Sequence, residues 1–375
     1  MIRNNKKKLK ICLISIDYPP DVVGGTGIYT KNIAEYLSAK NHQVVVVTAS
    51  KMTLSKNKMP GRNIEFVFSK NKNIFGFWKF CFFYLKNNVE DFDLVHGSDI
   101  FHFPVIFFRN KFKIITTVHN SYLQRFFKYN LLRRLYYPFL IIIEQILLLK
   151  SDKIVSVSDF CDMYLKKYLF ISDKVITIPN GVDVELFKKK KSSFLSNKLN
   201  IVKNSKIILF TGRLVENKNP LYLCHLASQY FPRNWKLVIV GDGPQREEIK
   251  KYENKKQVFV IEKVNHNDMP KIYNSSDLFI LPSKSEGLSF TLLEALACQL
   301  PVIISPETNY RNLVENGVNG FLLRPNNEYK KWIRKIDKSI SMKKYYGNNS
   351  RNKLINMKLT IADFQRRHLE LYFNV

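Results

Sequence analysis

The sequence predicts two α/β domains, each a doubly wound parallel sheet with helices on both faces. The chain has 375 residues, which exceeds the size of one ordinary domain and suits two. Short apolar runs alternate with segments of helical spacing along both halves of the chain. A Lys-rich stretch, residues 188–205, separates the two series. We therefore expect an N-terminal domain of residues 1–190 and a C-terminal domain of residues 191–354, facing a central cleft.

The first half begins with a β-α-β pattern. Lys10–Ile16 is an apolar run, Gly27–Ala39 has helical spacing, and Gln43–Thr48 is rich in valine. Further apolar runs continue the series at residues 94–96, 113–118 and 153–157. Runs of this kind are typical of parallel strands that are buried on both faces. We also expect a last helix, about residues 355–375, to pack back on this domain.

The second half repeats the alternation with its own strands. Apolar runs stand at residues 207–210, 237–240, 258–261, 278–281 and 302–304, with helical segments between them. In open α/β sheets, ligands bind at the carboxyl ends of the strands. The loops that follow these runs are therefore the places to look for chemistry.

The composition is that of a globular protein, with 45% hydrophobic and 24% charged residues. No apolar run approaches the roughly 18 residues that a membrane span needs. The basic start of the chain is followed by a short apolar run that stops at Asp17, which disfavours a signal peptide and predicts a cytoplasmic protein. The five cysteines are odd in number and scattered, which is typical of reduced thiols and not of a disulfide framework or a metal site.

The formal net charge of +29 makes nucleic acid, an anionic membrane and anionic substrates candidate partners. The excess of lysine and arginine is spread about evenly over the two halves of the chain. An even spread is typical of a compositional bias and disfavours one nucleic-acid-binding face. We therefore expect no nucleic-acid partner.

Two glutamates, Glu286 and Glu294, follow the run at residues 278–281. The first is in a loop, and the second is in a helix that we expect to begin near Leu288. A helix start offers unpaired N–H groups and a partial positive charge, so the amides of residues 288–291 are suited to a diphosphate. Glu294 can then accept hydrogen bonds from a ribose diol, and Glu286 from sugar hydroxyls. For the pair alone, the alternative is a solvated glutamate and a second one favoured by the helix dipole.

Two basic residues, Arg213 and Lys218, stand on the turn after the run at residues 207–210. Their spacing allows both to converge on one doubly charged group, and charge-assisted bonds to phosphate are strong. In isolation, two cations among the 60 in this chain are more often solvated surface charges than a ligand site.

Other loops carry weaker signals. Gly24 and Gly25 stand where the first loop enters a helix, and glycine lets backbone approach a ligand closely, although a plain turn explains the pair as well. His119 comes just after the run at residues 113–118, at a strand end, where a hydrogen-bonded structural histidine is the alternative.

Two further loops contain glycine turns. Asn180 and Gly181 form a tight-turn pair, with Asp183 beside it, whose alternative role is architectural. Gly241 follows the run at residues 237–240 and provides clearance there.

Several strings in order resemble glycosyltransferase family 4. They are T-V-H at 117–119, P-N-G-V-D at 179–183, T-G-R-L at 211–214, S-x-x-E-G with E-x7-E from 283, and L-P-V-I at 300–303. The similarity extends from Asp17 through Gly320 and is thin between residues 50 and 110. It implies a GT-B fold and retaining transfer of a hexose-type sugar from a nucleoside-diphosphate sugar, UDP before GDP. It also implies that no metal or other cofactor takes part.

The resemblance assigns roles to the residues named above. Glu286 and His119 contact the transferred sugar as the catalytic residues. The donor-binding residues are Gly25, Arg213, Lys218, Gly241, Gly287, Leu288, Ser289, Phe290 and Glu294, with Asp21 as a further candidate in the first loop. Asn180, Gly181 and Asp183 lie near the site at the domain junction.

The chain also departs from the family pattern. Gly287-Leu288-Ser289 replaces the usual Gly-Phe-Gly, and Gln299 replaces a small residue. The segment from Ile261, where the family contacts the nucleobase, lacks the usual Phe-Leu-Gly. Residues 307–313 lack the usual Gly-Gly and Glu.

The acceptor side is predicted from two segments, residues 73–86 and 125–150, that mix aromatic and basic residues. Such helices rest on anionic membrane surfaces, although the second, with its long Ile/Leu run, also suits a core helix. We expect a glycan or lipid-linked acceptor of cell-surface polysaccharide or lipopolysaccharide synthesis, met at the inner face of the plasma membrane. The competing functions are a sugar-nucleotide epimerase of the GT-B fold and a non-catalytic basic protein that binds nucleic acid or membrane.

Overall fold

The computed structural model describes residues 8–19, 24–49, 63–128, 136–254, 256–262 and 264–375. The chain divides into two compact units: unit 1 comprises Met1–Pro179 with Phe364–Val375, and unit 2 comprises Asn180–Asp363. The change of unit therefore falls before the predicted position at residue 190. Residues 180–187 belong to unit 2 because Arg351 donates hydrogen bonds to the carbonyl oxygens of Val184 and Phe187. The Lys-rich stretch lies within unit 2 and contains a short helix, Phe194–Leu199.

Unit 1 is a seven-stranded parallel sheet covered by helices. Its strands are β1 (Lys10–Ile14), β2 (Gln43–Ala49), β3 (Ile64–Ser69), β4 (Leu94–Ser98), β5 (Lys113–Val118), β6 (Lys153–Ser156) and β7 (Val175–Thr177). Its helices are α1 (Gly25–Ala39), α2 (Ile74–Asn87), α3 (Tyr122–Lys128), α4 (Tyr137–Lys150) and α5 (Asp159–Leu165), with a 3-10 segment at Asp99–Phe108. Strand β3 was not among the predicted strands.

Unit 2 is a six-stranded parallel sheet. Its strands are β8 (Lys206–Thr211), β9 (Trp235–Val240), β10 (Val258–Ile261), β11 (Leu278–Leu281), β12 (Val302–Ile304) and β13 (Gly320–Leu322). Its helices are α6 (Phe194–Leu199), α7 (Pro220–Tyr230), α8 (Arg246–Lys250), α9 (Met269–Asn274), α10 (Phe290–Ala297), α11 (Tyr329–Ser341) and α12 (Lys343–Asn356). The last helix, α13 (Ile361–Phe373), begins in unit 2 and ends in unit 1.

Both sheets have the doubly wound strand order. In unit 1 the order is β3-β2-β1-β4-β5-β6-β7, and in unit 2 it is β10-β9-β8-β11-β12-β13. Each order reverses direction once, between β1 and β4 and between β8 and β11. At such a reversal the following loops leave toward opposite faces, so a crevice opens at the carboxyl edge. The fold thus predicts one ligand-binding position in each unit, at the carboxyl edge of its sheet where the strand order reverses.

The strands are buried because their sequences are apolar on both faces. Residues Val44–Val47 of β2 and Leu278–Leu281 of β11 are each buried at every position. Helices cover both sides of a parallel sheet, so neither face of these strands needs polar residues. All five cysteines are buried as free thiols. Among the described residues, no helix is both long and apolar enough to cross a membrane.

The C-terminal helix α13 is held in unit 1 by buried polar contacts. Nδ1 of His368 lies 2.9 Å from the carbonyl oxygen of Phe364, so this nitrogen carries the proton, since a carbonyl only accepts. Nε2 of the neutral ring then accepts from the hydroxyl of Tyr29 on α1, at 2.6 Å. The hydroxyl of Tyr372 lies 2.5 Å from Nδ1 of His96 on β4. Two successive turns of α13 therefore form hydrogen bonds with different elements of unit 1, α1 and β4.

The same network continues through Thr117 on β5. Its hydroxyl lies 2.7 Å from Nε2 of His96 and 2.8 Å from the hydroxyl of Tyr29. Because Tyr29 donates to His368, its oxygen accepts from Thr117, and Thr117 in turn accepts from His96. Every member is satisfied when both histidines are neutral, which a buried network requires.

These buried histidines predict acid sensitivity. Burial lowers the pKa of His368 from 6.5 to about 4, and it lowers that of His102, a further buried histidine on the 3-10 segment, to about 3. Below pH 6.5 the unfolded chain therefore binds more protons than the folded one. The contribution of the buried histidine to the free energy of unfolding is fully present above pH 6.5 and decreases as the pH falls toward 4. His368 alone contributes on the order of 3 kcal/mol to this loss. Urea unfolding at several pH values measures it.

Carboxylates also contribute to acid unfolding, so the control is a variant that lacks the titrating ring. His368→Asn is expected to be less stable at neutral pH but to lose less stability than wild type on acidification. Parallel pH profiles for the two proteins would contradict the assignment to His368.

Candidate functional site

The predicted diphosphate-binding residues lie together in unit 2. Arg213 and Lys218 follow β8, and Glu286 follows β11, and these two strands are hydrogen-bonded neighbours at the reversal of the sheet. The carboxyl ends of parallel strands meet at one edge, which is where the crevice opens. The strand order of unit 2 therefore brings these two sequence-distant loops to a single binding position.

Hydrogen bonds and an ion pair join the loop after β8 to the loop after β11. The side-chain amide of Asn217 donates to the carbonyl oxygen of Ser285 at 2.7 Å, and the N–H of Lys284 donates to the carbonyl oxygen of Asn217 at 2.8 Å. Nζ of Lys218 lies 2.5 Å from Oε1 of Glu286. These contacts fix the relative position of the loops before any ligand binds.

The ion pair of Lys218 and Glu286 is the charged centre of this site. Their side chains are only 18% and 12% exposed. In the protein without ligand, each of these two largely buried charges is therefore stabilised by the other. Arg213 is exposed and has no ion pair or side-chain hydrogen bond in the part of the chain that the structure describes. A ligand that carries both hydroxyls and negative charge can therefore meet one carboxylate and two cations here.

Helix α10 begins beside this pair. It starts at Phe290 with Ser289 as the N-cap, two residues later than the predicted start near Leu288. The hydroxyl of Ser289 bonds to that of Thr291 at 2.9 Å and does not cap the backbone. The N–H groups of the first turn have no acceptor within the helix, so they remain suited to an anion. Gly287 and Leu288 are buried in the loop before it.

Glu294 is buried within α10, with 5% of its surface exposed, and both its oxygens are engaged. Oε1 lies 3.1 Å from Nε2 of His266, and Oε2 accepts from the hydroxyl of Tyr273 at 2.7 Å. That hydroxyl also lies 2.9 Å from the hydroxyl of Thr211 at the end of β8. Burial, and next the charge of Glu294, raise the pKa of Tyr273. The phenol therefore stays protonated and orients the carboxylate.

His266 and Tyr273 were not among the predicted site residues. Both lie between β10 and β11, and the ring of Phe187 packs edge-on against each of them. No motif or spacing in the sequence connects them to Glu294. The only available signal for His266 was its place in the loop after a parallel strand.

Gly241 has a packing role in the structure. A Cβ atom there would lie 1.9 Å from the carbonyl oxygen of Gly212, and its φ of +154° also favours glycine. The two glycines allow the backbones after β8 and β9 to touch. Gly241 thus supports the turn that carries Arg213.

Asn180, Gly181 and Asp183 also lie in unit 2. The side-chain amide of Asn180 donates to the carbonyl oxygen of Leu288 at 2.7 Å, so Asn180 holds the loop before α10. Asp183 accepts from two backbone N–H groups of its own turn, at Glu185 and Leu186, each at 2.9 Å. Asn180 therefore contacts the site, whereas Asp183 shapes the chain beside it.

The remaining predicted residues are in unit 1. Gly25 is the first residue of α1, after a loop whose Asp21 lies outside the described residues. His119 follows β5, and its N–H donates to Oδ1 of Asp99 at 2.9 Å. Its ring packs edge-on against Tyr29, with ring centres 4.8 Å apart. His119 is thus attached to the network that holds α13.

Asp99 was not among the predicted site residues. It is buried at the end of β4, where its φ of +48° is unusual for a residue with a side chain. Such strained positions cluster at functional sites. In the described residues there is no group of three or more His, Cys, Asp or Glu side chains placed to hold a metal ion.

Two family descriptions match the chain. Residues 23–186 match Glycosyltransferase Family 4, and residues 191–357 match Glycosyl transferases group 1. Together they cover both units apart from the ends and a short junction. The chain therefore belongs to the family 4 type of glycosyltransferases, as its motifs predicted.

Two curated relatives agree with this assignment. An uncharacterized glycosyltransferase of Methanocaldococcus jannaschii is 26% identical over 348 residues, which cover 85% of this chain and 86% of the relative. The Escherichia coli UDP-Gal:alpha-D-GlcNAc-diphosphoundecaprenol alpha-1,3-galactosyltransferase is 34% identical over 199 residues, 49% of this chain and 50% of the relative.

Two solved structures share the fold. Sucrose-phosphate synthase from Thermosynechococcus elongatus has a TM-score of 0.84 at 18% identity, covering 98% of this chain and 99% of that one. Anabaena Alr3699/HepE, in complex with UDP-glucose, has a TM-score of 0.76 at 17% identity, covering 98% and 100%. These similarities establish that the two units form a GT-B fold.

Proposed function

We propose that this glycosyltransferase moves a hexose-type sugar, with retention, from a nucleoside-diphosphate sugar to a hydroxyl of a glycan or lipid-linked saccharide. One observation carries the proposal: Arg213, the Lys218–Glu286 pair and the start of α10 lie on neighbouring loops at the reversal of the unit 2 sheet. This set provides donors for a diphosphate and an acceptor for sugar hydroxyls.

A UDP-sugar is the donor that we propose first, with a GDP-sugar next. The Escherichia coli relative is described as using UDP-Gal, and the Anabaena structure holds UDP-glucose. Glu294 supports a nucleotide donor, because its two oriented oxygens, each with one protein donor, can accept from the two hydroxyls of a ribose.

We propose that the charge of the leaving diphosphate is stabilised by Arg213, Lys218 and the N–H groups of α10, without a metal. Negative charge grows on the diphosphate as the glycosidic bond breaks, and donors already in place favour that state over the ground state. Sugar hydroxyls donating to Glu286 would free Lys218 to turn toward the diphosphate. The acceptor hydroxyl then attacks from the face that the diphosphate leaves, and the diphosphate takes its proton. Retention follows because bond formation and cleavage share one face.

The place of action is proposed from the relatives. The galactosyltransferase relative is named for a diphosphoundecaprenol acceptor, and another relative is a lipopolysaccharide 1,2-N-acetylglucosaminetransferase of Salmonella typhimurium. We propose an acceptor of the same class, presented at the inner face of the plasma membrane. His119, in unit 1, is proposed to orient the transferred sugar.

Nucleotide binding tests the proposal directly. Saturating UDP, at about 100 times its dissociation constant, is expected to stabilise the protein by about 2.7 kcal/mol, and ADP is expected to have little effect. The shift should persist in EDTA. Mass detection after incubation with UDP-sugars and acceptor saccharides then identifies the product. Indifference to UDP, GDP and ADP would remove the proposal, and conversion of a UDP-sugar to its isomer without an acceptor would favour the epimerase.

A further inference from the structure

Exposed apolar side chains are concentrated in one part of unit 1. The described chain has 14 large hydrophobic residues with exposed side chains, and 10 of them lie between residues 75 and 170. These ten are Phe75, Phe83, Phe107, Tyr136, Phe139, Ile142, Ile146, Met163, Leu169 and Phe170. None lies on α1 or α13. Exposed apolar groups scattered singly need no explanation, but a concentration of this kind marks an interaction surface.

The elements that carry these residues form one layer. Every connection from β3 through β4, β5 and β6 to β7 moves in the same direction across the sheet, and such connections are right-handed. They therefore place α2, the 3-10 segment, α4 and α5 on the same face of the sheet. Trp78 of α2 donates to the carbonyl oxygen of Ile100, and the rings of Phe82 and Phe107 are 5.7 Å apart. The layer is packed internally, so its exposed residues face outward.

The outer side of α2 alternates aromatic and basic residues. Phe75, Lys79, Phe83 and Lys86 are all exposed, and their spacing of three or four residues puts them on one side of the helix. The helix contains no acidic residue. Phe107, 65% exposed, extends the same pattern on the 3-10 segment, and the exposed Arg109 follows directly after that segment. A row of phenylalanines and lysines matches the boundary between lipid tails and anionic headgroups.

The outer side of α4 is apolar for three turns. Phe139, Ile142 and Ile146 are exposed, and Lys150 ends the row. The opposite side is buried and includes Ile143, Leu147 and Leu148. The helix is thus partly a core helix, as one alternative held, and partly an exposed apolar surface.

The loop after α5 places two exposed apolar residues, Leu169 and Phe170, beside α4. The side chain of Gln145 on α4 holds Leu169 by two hydrogen bonds, one to its carbonyl oxygen at 2.8 Å and one from its N–H at 3.0 Å. The next residue, Phe170, is 83% exposed and has a φ of +58°. This left-handed backbone conformation of an aromatic residue destabilises the folded protein by about 1 kcal/mol or more. Two lysines precede this loop: Lys166, which pairs with Asp162 at 2.8 Å, and the exposed Lys167.

We infer that this layer, defined here as the basic-aromatic face, docks the protein on a bilayer that contains anionic lipid. Its charge decides the partner: a second copy of the chain would set Lys79 and Lys86 against equally basic surface, whereas anionic headgroups neutralise them. The phenylalanines then enter the boundary of the lipid tails. The inference rests on the proposed function for its purpose, which is access to a lipid-linked acceptor, but its evidence is separate.

Vesicle flotation at physiological salt tests this docking. Wild-type protein is expected to float with vesicles of phosphatidylglycerol and phosphatidylcholine, and far less with phosphatidylcholine alone. Lys79→Glu with Lys86→Glu is expected to lower the partition coefficient at least about tenfold. Phe83→Ser with Phe107→Ser is expected to lower it by a similar factor, since each ring loses its burial in the lipid boundary.

Matched controls separate docking from general charge and from folding. Lys330→Glu with Lys338→Glu makes the same charge change on exposed residues of α11 in unit 2 and is expected to leave flotation unchanged. UDP-induced stabilisation is measured for every variant, so that a failed proposed function is distinguished from failed docking. Wild-type protein that stays with the soluble fraction would overturn the inference. So would equal losses in both charge-reversal pairs, or sedimentation as a dimer that only the Phe83 and Phe107 variant dissociates.

Discussion

Replacing Arg213 with alanine is expected to lower kcat/KM for sugar transfer by about 10²–10³-fold, the range for removal of one donor that stabilises transition-state charge. Arg213 is exposed and has no ion pair or side-chain hydrogen bond among the described residues, so the protein by itself should keep its stability. The loss should fall mainly on kcat, because the charge on the diphosphate grows as the bond breaks. Steady-state kinetics with the identified donor, together with thermal unfolding, measures both effects.

The controls for this variant follow from its chemistry. Arg213→Lys keeps the charge but loses the planar fork, so only part of the activity should return. Arg233→Ala removes another exposed arginine of unit 2 and is expected to have no effect. Activity of Arg213→Ala within about threefold of wild type would exclude Arg213 from the reaction.

Replacing Glu294 with alanine is expected to weaken UDP binding on the order of 10²-fold. Hydrogen bonds to a charged group contribute roughly 1.5–3 kcal/mol each, and the ribose loses two of them. The sharper measurement is calorimetry with UDP and with 2′-deoxy-UDP. Wild-type protein should prefer UDP, whereas the Glu294→Ala variant should bind both equally weakly. Equal discrimination by wild type and variant would show that Glu294 does not contact the ribose.

Glu294 is buried, so this variant also needs a structural control. Tyr273 keeps its contact with Thr211 when the carboxylate is removed, which limits the damage to the site. His266→Ala removes one of the two groups that orient Glu294 and should weaken UDP binding less than Glu294→Ala does. Circular dichroism and the unfolding temperature of each variant show whether the fold is retained.

Much of the fold could be predicted from local patterns. Strands β10 and β11 begin and end at the predicted residues, because each is an apolar run between polar turns. Helix starts were less accurate: α1 begins at Gly25 and not Gly27, and α10 begins at Phe290 and not near Leu288. Apolar periodicity locates the middle of a helix, whereas its ends depend on single hydrogen bonds.

Apolar periodicity also did not predict which side of α4 is exposed. The helix is apolar on nearly all sides, so the pattern could not say which side is exposed. Packing against α3 and the 3-10 segment decides that Ile143 and Leu147 point inward and Ile142 and Ile146 outward. The basic-aromatic face therefore became visible only in the structure.

By itself, the sequence determined the class of fold, the family and the segments that carry chemistry, because apolar runs, glycine turns and the E-x7-E string are local features of the chain. The tertiary structure decided which of these segments meet. Lys218 pairs with Glu286 because β8 and β11 are neighbours in the sheet, and Glu294 meets His266 because the loop after β10 returns to α10. The physical reason is that strand order and loop closure join residues across long separations, and no local pattern records them.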